Sequence, residues 1–289
     1  SGTNVTITSN SLTKNYAGIA VGYDTADTST VTASFNQIYG NSPSGLLVMG
    51  TSASVKAENN WWGCNPGPVS PNCDQLTGTA TYDPWLKLTA GPAKFVLPGG
   101  TVPVTANLVM NSKDANTASQ GTVLDGTNAT FLPPAAGGTV NPTFGGSLAG
   151  VFTTNFTAPN VASGTVLQVC TGVDNYTQCS NVTVLNAVAQ ADTYSTGKNA
   201  TLDVSAPGVL ANDTVANNGT LTAVLDTTTT HGTLNLAANG SFTYAPVTGF
   251  SGDDSFTYHA SDGTSASNIV TVTIHVTDRT FLYMPLIMK

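Results

Sequence analysis

Asp253 and Asp254 stand side by side in a chain poor in charge. Paired carboxylates are a natural nucleus for a hard cation, since calcium gathers about six to eight oxygen ligands. Calcium is therefore the candidate cofactor, against the alternative that these aspartates form turns by accepting backbone N–H groups. Four cysteines fall as Cys64 with Cys73 and Cys170 with Cys179, eight residues inside each pair. Metal sites use shorter spacings and further ligands, so the pairs read as loop or hairpin disulfides and imply an oxidising compartment. His231, His259 and His275 show no repeated ligand spacing and read as structural or surface residues. No serine or cysteine nucleophile has a placed base, and no G-x-G-x-x-G or P-loop occurs. Trp61, Trp62 and Trp85 offer a platform for sugar stacking, or, for the adjacent pair, a cover over a core face. Nine Asn-x-Ser/Thr triplets, at Asn4, Asn128, Asn155, Asn175, Asn181, Asn199, Asn212, Asn218 and Asn239, are candidate glycosylation sites in a composition that generates many by chance.

The elements that must carry these groups are strands. The 289 residues suffice for two or three domains, and 29 Gly and 15 Pro, without helical apolar periodicity, favour strands and turns. Eight Lys plus Arg against 16 Asp plus Glu give a net charge of −8, so there is no basic surface for nucleic acid. An apolar content of 40% excludes a disordered acidic tail. The longest late apolar run, Phe281 to Met288, is too short to cross a bilayer, and Ser1 reads as a mature or trimmed start. The expected location is secreted, extracellular or on the cell surface.

Three stretches superpose: "VTITSNSL" from Val5, "VTASFNQI" from Val31 and "VKAENNWW" from Val55. Each places an asparagine (Asn10, Asn36, Asn60) five residues after its valine, at repeats of 26 and 24 residues. The first two continue in step through Asn15 and Asn41 into "GIAV" and "GLLV". Such a period is one coil of a solenoid, which cannot bury its apolar side alone. The region resembles the right-handed parallel β-helix of the pectate-lyase-like fold, and "NNWWG" followed by "GP" resembles its last coil in bacterial surface proteins. The resemblance implies an internal asparagine ladder, Trp61 and Trp62 over the final core face, a capping loop pinned by Cys64 and Cys73, and an exit strand at Tyr82 to Leu88.

"TVPVTANLVM" from Thr101 alternates with period two, and "GTVLQVC" and "CSNVTV" read as two later strands joined by the second disulfide. This middle segment resembles bacterial immunoglobulin-like modules of about seven strands. From Ala191, "ADTYST", "APGVLANDT", "HGTLNLAANGSFTYAP", "GFSGDDSFTYHASDG" and "NIVTVTIHV" follow one another in the order of the cadherin-like or immunoglobulin-like repeats of bacterial adhesins and extracellular enzymes. Asp192, Asp213, Asp253, Asp254 and Asp262 belong to this module, and the resemblance implies that acidic residues at its domain ends bind a hard cation, with Asp253 and Asp254 as the nucleus. Val270, Val272, Ile274 and Val276 would face the core with Phe242, Tyr244, Phe256 and Tyr258. The tail "RTFLYMPLIMK" is apolar on both sides of an extended strand and resembles the hydrophobic ends of secreted multidomain bacterial proteins. Phe281, Leu282, Tyr283, Met284, Leu286 and Ile287 are thereby candidates for contact with a neighbouring subunit.

Pectate-lyase-like enzymes hold calcium on aspartates and use a basic residue as proton acceptor. Here Asp24, Asp27, Glu58, Asp74 and Asp83, with Lys14, Lys56 and Lys87, form no repeated cluster across coils, and no catalysis is expected. The expected molecule is all-β and non-enzymatic, a rod of three modules in series. A short right-handed parallel β-helix (1–90) precedes two immunoglobulin-like sandwiches (91–185 and 186–278) and a C-terminal extension strand (279–289). Its expected role is that of a subunit of an extracellular filament or surface fibre or adhesin, touching copies of itself or other surface components, glycans included, through the open coil end and the tail. The rival reading is an accessory or carbohydrate-binding C-terminal part of a secreted polysaccharide-active enzyme.

Overall fold

The computed structural model describes residues 3–22, 24–216 and 219–278. These residues form strands and turns, with a 3-10 turn at Gly208–Leu210 and no helix long and apolar enough to cross a membrane. Two compact units emerge. One takes the chain through Lys94, Thr101–Pro159 and Val166–Val182, and the other takes Phe95–Gly100, Asn160–Thr165 and the chain from Thr183 onward.

In the first unit the valine repeat becomes strand register. β1 (Asn4–Thr8), β2 (Ser11–Thr13), β3 (Ala17–Val21), β4 (Thr30–Ser34), β5 (Gln37–Tyr39), β6 (Ser44–Val48), β7 (Ser54–Lys56) and β8 (Leu76–Thr77) build three parallel sheets, ordered β1-β4-β7, β2-β5 and β3-β6-β8. Val5 lies opposite Val31, and Val31 opposite Val55. Alternation turns Val31, Ala33, Val55 and Ala57 inward, where they bury with Ile38, Leu46 and Trp62. The corner residue before each ladder asparagine, Ser9, Phe35 and Asn59, has a positive φ of 54°, 58° and 56°. A left-handed corner is disfavoured for L-residues, so its recurrence marks a bend that the surrounding hydrogen bonds impose.

Next come β9 (Leu86–Ala90), β10 (Lys94–Val96), β11 (Thr101–Asn111), β12 (Asn128–Leu132), β13 (Thr139–Asn141), β14 (Phe144–Gly146), β15 (Val151–Thr157), β16 (Thr165–Val173) and β17 (Tyr176–Val184). They lie in two sheets, β13-β15-β11-β9 and β10-β17-β16-β12-β14. Alternate residues of β15 point inward, so Phe152 and Phe156 bury with Leu86, Leu88 and Leu108. The stretch expected to be the coils' exit strand behaves differently: Leu86–Ala90 pairs antiparallel with β11 and opens the sandwich. Leu86 and Leu88 alternate with less buried neighbours, so the strand presents one apolar face to the core.

The second unit holds β18 (Ala187–Val188), β19 (Asp192–Gly197), β20 (Leu202–Val204), β21 (Thr214–Val215), β22 (Thr222–Thr227), β23 (Gly232–Leu236), β24 (Phe242–Pro246), β25 (Gly252–Ser261) and β26 (Val270–Thr277). The sheets run β19-β26-β25-β22, β20-β24-β23 and β18-β21, with β19 parallel to β26. Phe242, Tyr244, Phe256, Tyr258, Val272, Ile274 and Val276 form the core as the alternation predicts, with Val270 partly buried against it. Two motif glycines interlock: a Cβ at Gly208 (φ 54°) would meet the Gly240 carbonyl oxygen, and one at Gly240 (φ 84°) that of Pro207.

Candidate functional site

The corners between the parallel sheets carry a hydrogen-bonded ladder. Asn36 Oδ1 accepts the backbone N–H and Nδ2 of Asn10 at 3.0 and 3.2 Å, and Asn60 Oδ1 accepts the same two groups of Asn36 at 3.0 Å each. Asn60 Nδ2 donates to the carbonyls of Ala33 and Ala57 at 2.8 and 2.7 Å, so this fully buried amide is satisfied. A second ladder stands beside it. Asn41 Oδ1 accepts the Asn15 N–H at 3.0 Å, and Asp74 accepts from Asn41 N, Asn41 Nδ2 and Gly40 N at 3.0, 2.6 and 2.8 Å. Sequence reasoning missed Asp74 because its step from Asn41 is 33 residues, stretched by the Cys64–Cys73 loop.

Trp61 and Trp62 are both 0% exposed, so neither offers a sugar-stacking face. Trp62 lies in the core between the parallel sheets, where its Nε1 finds no acceptor among the described residues, and Trp61 Nε1 donates to Asp174 Oδ2 at 2.7 Å. Trp85 Nε1 is tied to the Asn65 carbonyl at 2.8 Å. Asp174, in the β16–β17 turn, also accepts Gln37 Nε2 at 2.9 Å on each oxygen. Its neighbour Asn175 donates its N–H to Gly63 O and accepts the Tyr39 hydroxyl at 3.1 Å. This turn thus clasps β5 and the Trp61–Gly63 segment. Burial pushes the Asp174 carboxyl up, the Asp74 charge adds to it, and the Gln37 and Trp61 donors offset part of the rise. An Asp-Asn turn reads in sequence as solvent-facing, and nothing in its spacing signals the clasp. Both disulfides are formed, with Cα atoms 5.3 Å apart for Cys64–Cys73 and 3.9 Å for Cys170–Cys179, the latter joining β16 to β17.

Asp253 and Asp254 are not brought together, because neighbours on a strand face opposite ways. Asp253 is exposed and meets His275 Nδ1 at 2.5 Å. Asp254 is buried and accepts Thr230 N, His231 N, Ser255 N and the Tyr244 hydroxyl at 2.9 to 3.1 Å. Burial alone would raise its carboxyl, but these donors outweigh it and hold it below the ordinary carboxylate range. The pair therefore cannot chelate one cation, and among the described residues no group of three or more His, Cys, Asp or Glu is placed to hold a metal. Asp192 and Asp213 do converge, on the buried Tyr258 hydroxyl, which lies 3.4 Å from Asp192 Oδ2, 3.0 Å from Asp213 Oδ2 and 2.5 Å from the Val209 carbonyl. Burial and then the Asp213 charge push Asp192 up to about 6, and burial raises Asp213. His259 Nδ1 meets Asp226 at 3.0 Å and His231 stacks on Phe250 at 4.4 Å, so the histidines are structural contacts.

Eight sequon asparagines, Asn4, Asn128, Asn155, Asn175, Asn181, Asn199, Asn212 and Asn239, are exposed, and Asn218 lies outside the described residues. Asn212 is engaged, its Nδ2 donating to Asp192 Oδ1 at 3.2 Å. The tail candidates Phe281, Leu282, Tyr283, Met284, Leu286 and Ile287 also lie outside the described residues.

Residues 185–278 match the family model of the bacterial cadherin-like domain. No curated protein matches the chain. Similar solved structures include surface layer protein SbsC, domains 4–9, at 13% identity and a TM-score of 0.27, covering 69% of this chain and 33% of that one. The D0-D1 domain of Intimin is similar at 14% identity and 0.27, covering 67% of this chain and 98% of that one. Drosophila N-cadherin EC1-4 is similar at 11% identity and 0.30, covering 68% and 52%. The chain thus spans about a third of the surface layer structure. Its second unit carries a bacterial cadherin-like domain, from Leu185 to Asp278.

Proposed function

We infer that this protein is a non-catalytic structural subunit of an extracellular filament, surface fibre or adhesin. The observation that carries the reading is the match of residues 185–278 to the bacterial cadherin-like domain, which fits a cell-surface structural or adhesion role. Two formed disulfides fit the same oxidising setting. In this reading the segment expected over 1–90 ends a right-handed parallel β-helix, its last residues Leu86–Ala90 passing into the immunoglobulin-like sandwich expected over 91–185, and 186–278 form a cadherin-like sandwich. The parallel sheets and in-register asparagines support the first assignment.

Partners are copies of the chain, reached through the tail at 279–289, and other surface components, reached through the open coil end. Glycans are carried on exposed sequons where the host modifies them. No cofactor is required for the role. Negative-stain microscopy of the purified full chain at increasing concentration tests the reading: filaments or regular fibres are expected. A chain that stays monodisperse, adheres to no cell surface and cleaves a polysaccharide would overturn it.

A further inference from the structure

Among the described residues, the outer side of the first parallel strands is unpaired, and its chemistry specifies what fits it. β1, β2 and β3 are the end strands of their three parallel sheets, so none has a partner on that side among the described residues. Val5 is 43% exposed where its counterparts Val31 and Val55 are each 5% exposed. A cavity of about 260 Å³ lined by Val5, Ile7, Ile19, Val21 and Val31 opens there. An apolar floor alone would accept any apolar segment. The ladders narrow the choice.

In the inner rungs a side-chain oxygen takes donors from the asparagine one coil earlier: Asn60 Oδ1 takes both donors of Asn36, Asn36 Oδ1 both of Asn10, and Asn41 Oδ1 the N–H of Asn15. At the first rung these acceptors are free among the described residues. Asn10 spends its Nδ2 on the Thr8 carbonyl at 2.8 Å, and Asn15 bonds only through its backbone. Both are exposed, whereas Asn36 and Asn41 are buried.

We propose that this face is a stacking site for a further β-coil: a parallel run of chain bearing asparagines five residues apart, as Asn10 and Asn15 are, whose N–H and Nδ2 groups dock on Asn10 Oδ1 and Asn15 Oδ1. The proposal rests on the β-helix reading of this region. It names a partner by its hydrogen-bonding chemistry, and it excludes two others. The tail "RTFLYMPLIMK" has neither Asn nor Gln, and its Pro285 lacks an N–H. A second copy meeting this face head to head brings the same acceptors, so the rungs would meet oxygen to oxygen.

The test adds a copy of residues 4–29 directly ahead of Asn4 in the full chain, which places the copied asparagines one 26-residue coil before Asn10 and Asn15. A second version carries leucine at both copied asparagines, and a third pairs the native copy with Asn10→Leu. Amide hydrogen exchange at Val5, Thr6 and Ile7 is the readout. The native copy is expected to slow exchange by about tenfold or more, and the two leucine versions to leave it within about twofold of the unextended chain. Equal slowing by all versions, or none by the native copy, would overturn the proposal. So would dimerisation of the unextended chain that buries these amides. Microscopy of the unextended chain reports on the filament reading separately, so failure of one can be told from failure of the other.

Discussion

At the scale of single residues, two carboxylates side by side in sequence have opposite fates. Asp254 is buried under three backbone N–H groups and the Tyr244 hydroxyl, and Asp253 sits in solvent against His275. Asp254→Ala leaves those donors unmet and is expected to cost about 3 kcal/mol, whereas Asp253→Ala should cost less than about 0.5 kcal/mol, as exposed pairs do. Urea titration of both variants checks the contrast, and equal losses would contradict it. Asp192 runs the other way. Its folded carboxyl titrates at about 6 against an ordinary 3.8, chiefly from burial and then the charge of Asp213, so the folded state holds more protons than the unfolded one between those values. Stability of the cadherin-like domain should therefore fall as pH rises through this window. The carboxyl of Asp254, held low, loses its contribution only below about pH 4, outside the window. The domain is expected to melt higher at about pH 4.5 than at about pH 7.5, with Asp192→Asn flattening the difference. A higher melting temperature at the upper pH would refute the assignment.

At the scale of elements, the β16–β17 turn is held by a carboxylate that no sequence pattern singles out. Asp174 has a φ of 53°, a conformation that Asn tolerates and Ala does not. Asp174→Ala combines that strain with an orphaned Trp61 indole N–H and an unmatched Gln37, and is expected to lose about 3 kcal/mol. Asp174→Asn keeps one acceptor and should recover more than half, with Trp61 fluorescence reporting solvent entry in the alanine variant alone. Identical melting of the two variants would show that the clasp contributes nothing. What was legible here and what was not has a physical division. Valine and asparagine spacings gave the register of the parallel strands, and period-two alternation gave the cadherin-like core, because both are local patterns tied to backbone geometry. Asp74 and Asp174 act across 33 and 137 residues, distances over which spacing carries no information. The sugar platform failed for a related reason: aromatic type signals surface or core alike, and only packing decides that Trp61 and Trp62 are buried.

At the scale of the whole molecule, strand pairing crosses residue 90, where the sequence suggests a boundary. Leu86–Ala90 pairs with β11, and Asn111 Nδ2 reaches Asn59 Oδ1 at 3.2 Å, so residues on both sides of position 90 belong to one compact unit. The tail argues for assembly on sequence grounds alone. In an extended strand Phe281, Tyr283, Pro285 and Ile287 fall on one side and Leu282, Met284, Leu286 and Met288 on the other, so one sheet face cannot bury both rows. Exposing either row would leave a contiguous apolar patch of the kind that marks an interaction site. Removal of residues 279–289 is expected to abolish polymers seen by sedimentation while leaving the melting of the cadherin-like domain unchanged. Adding the tail back as a separate peptide at high concentration should compete with polymers of the full chain, since a free strand fills the groove that a neighbour's tail would occupy. Polymers that persist without the tail, or a peptide that neither competes nor binds, would overturn the tail's role in assembly.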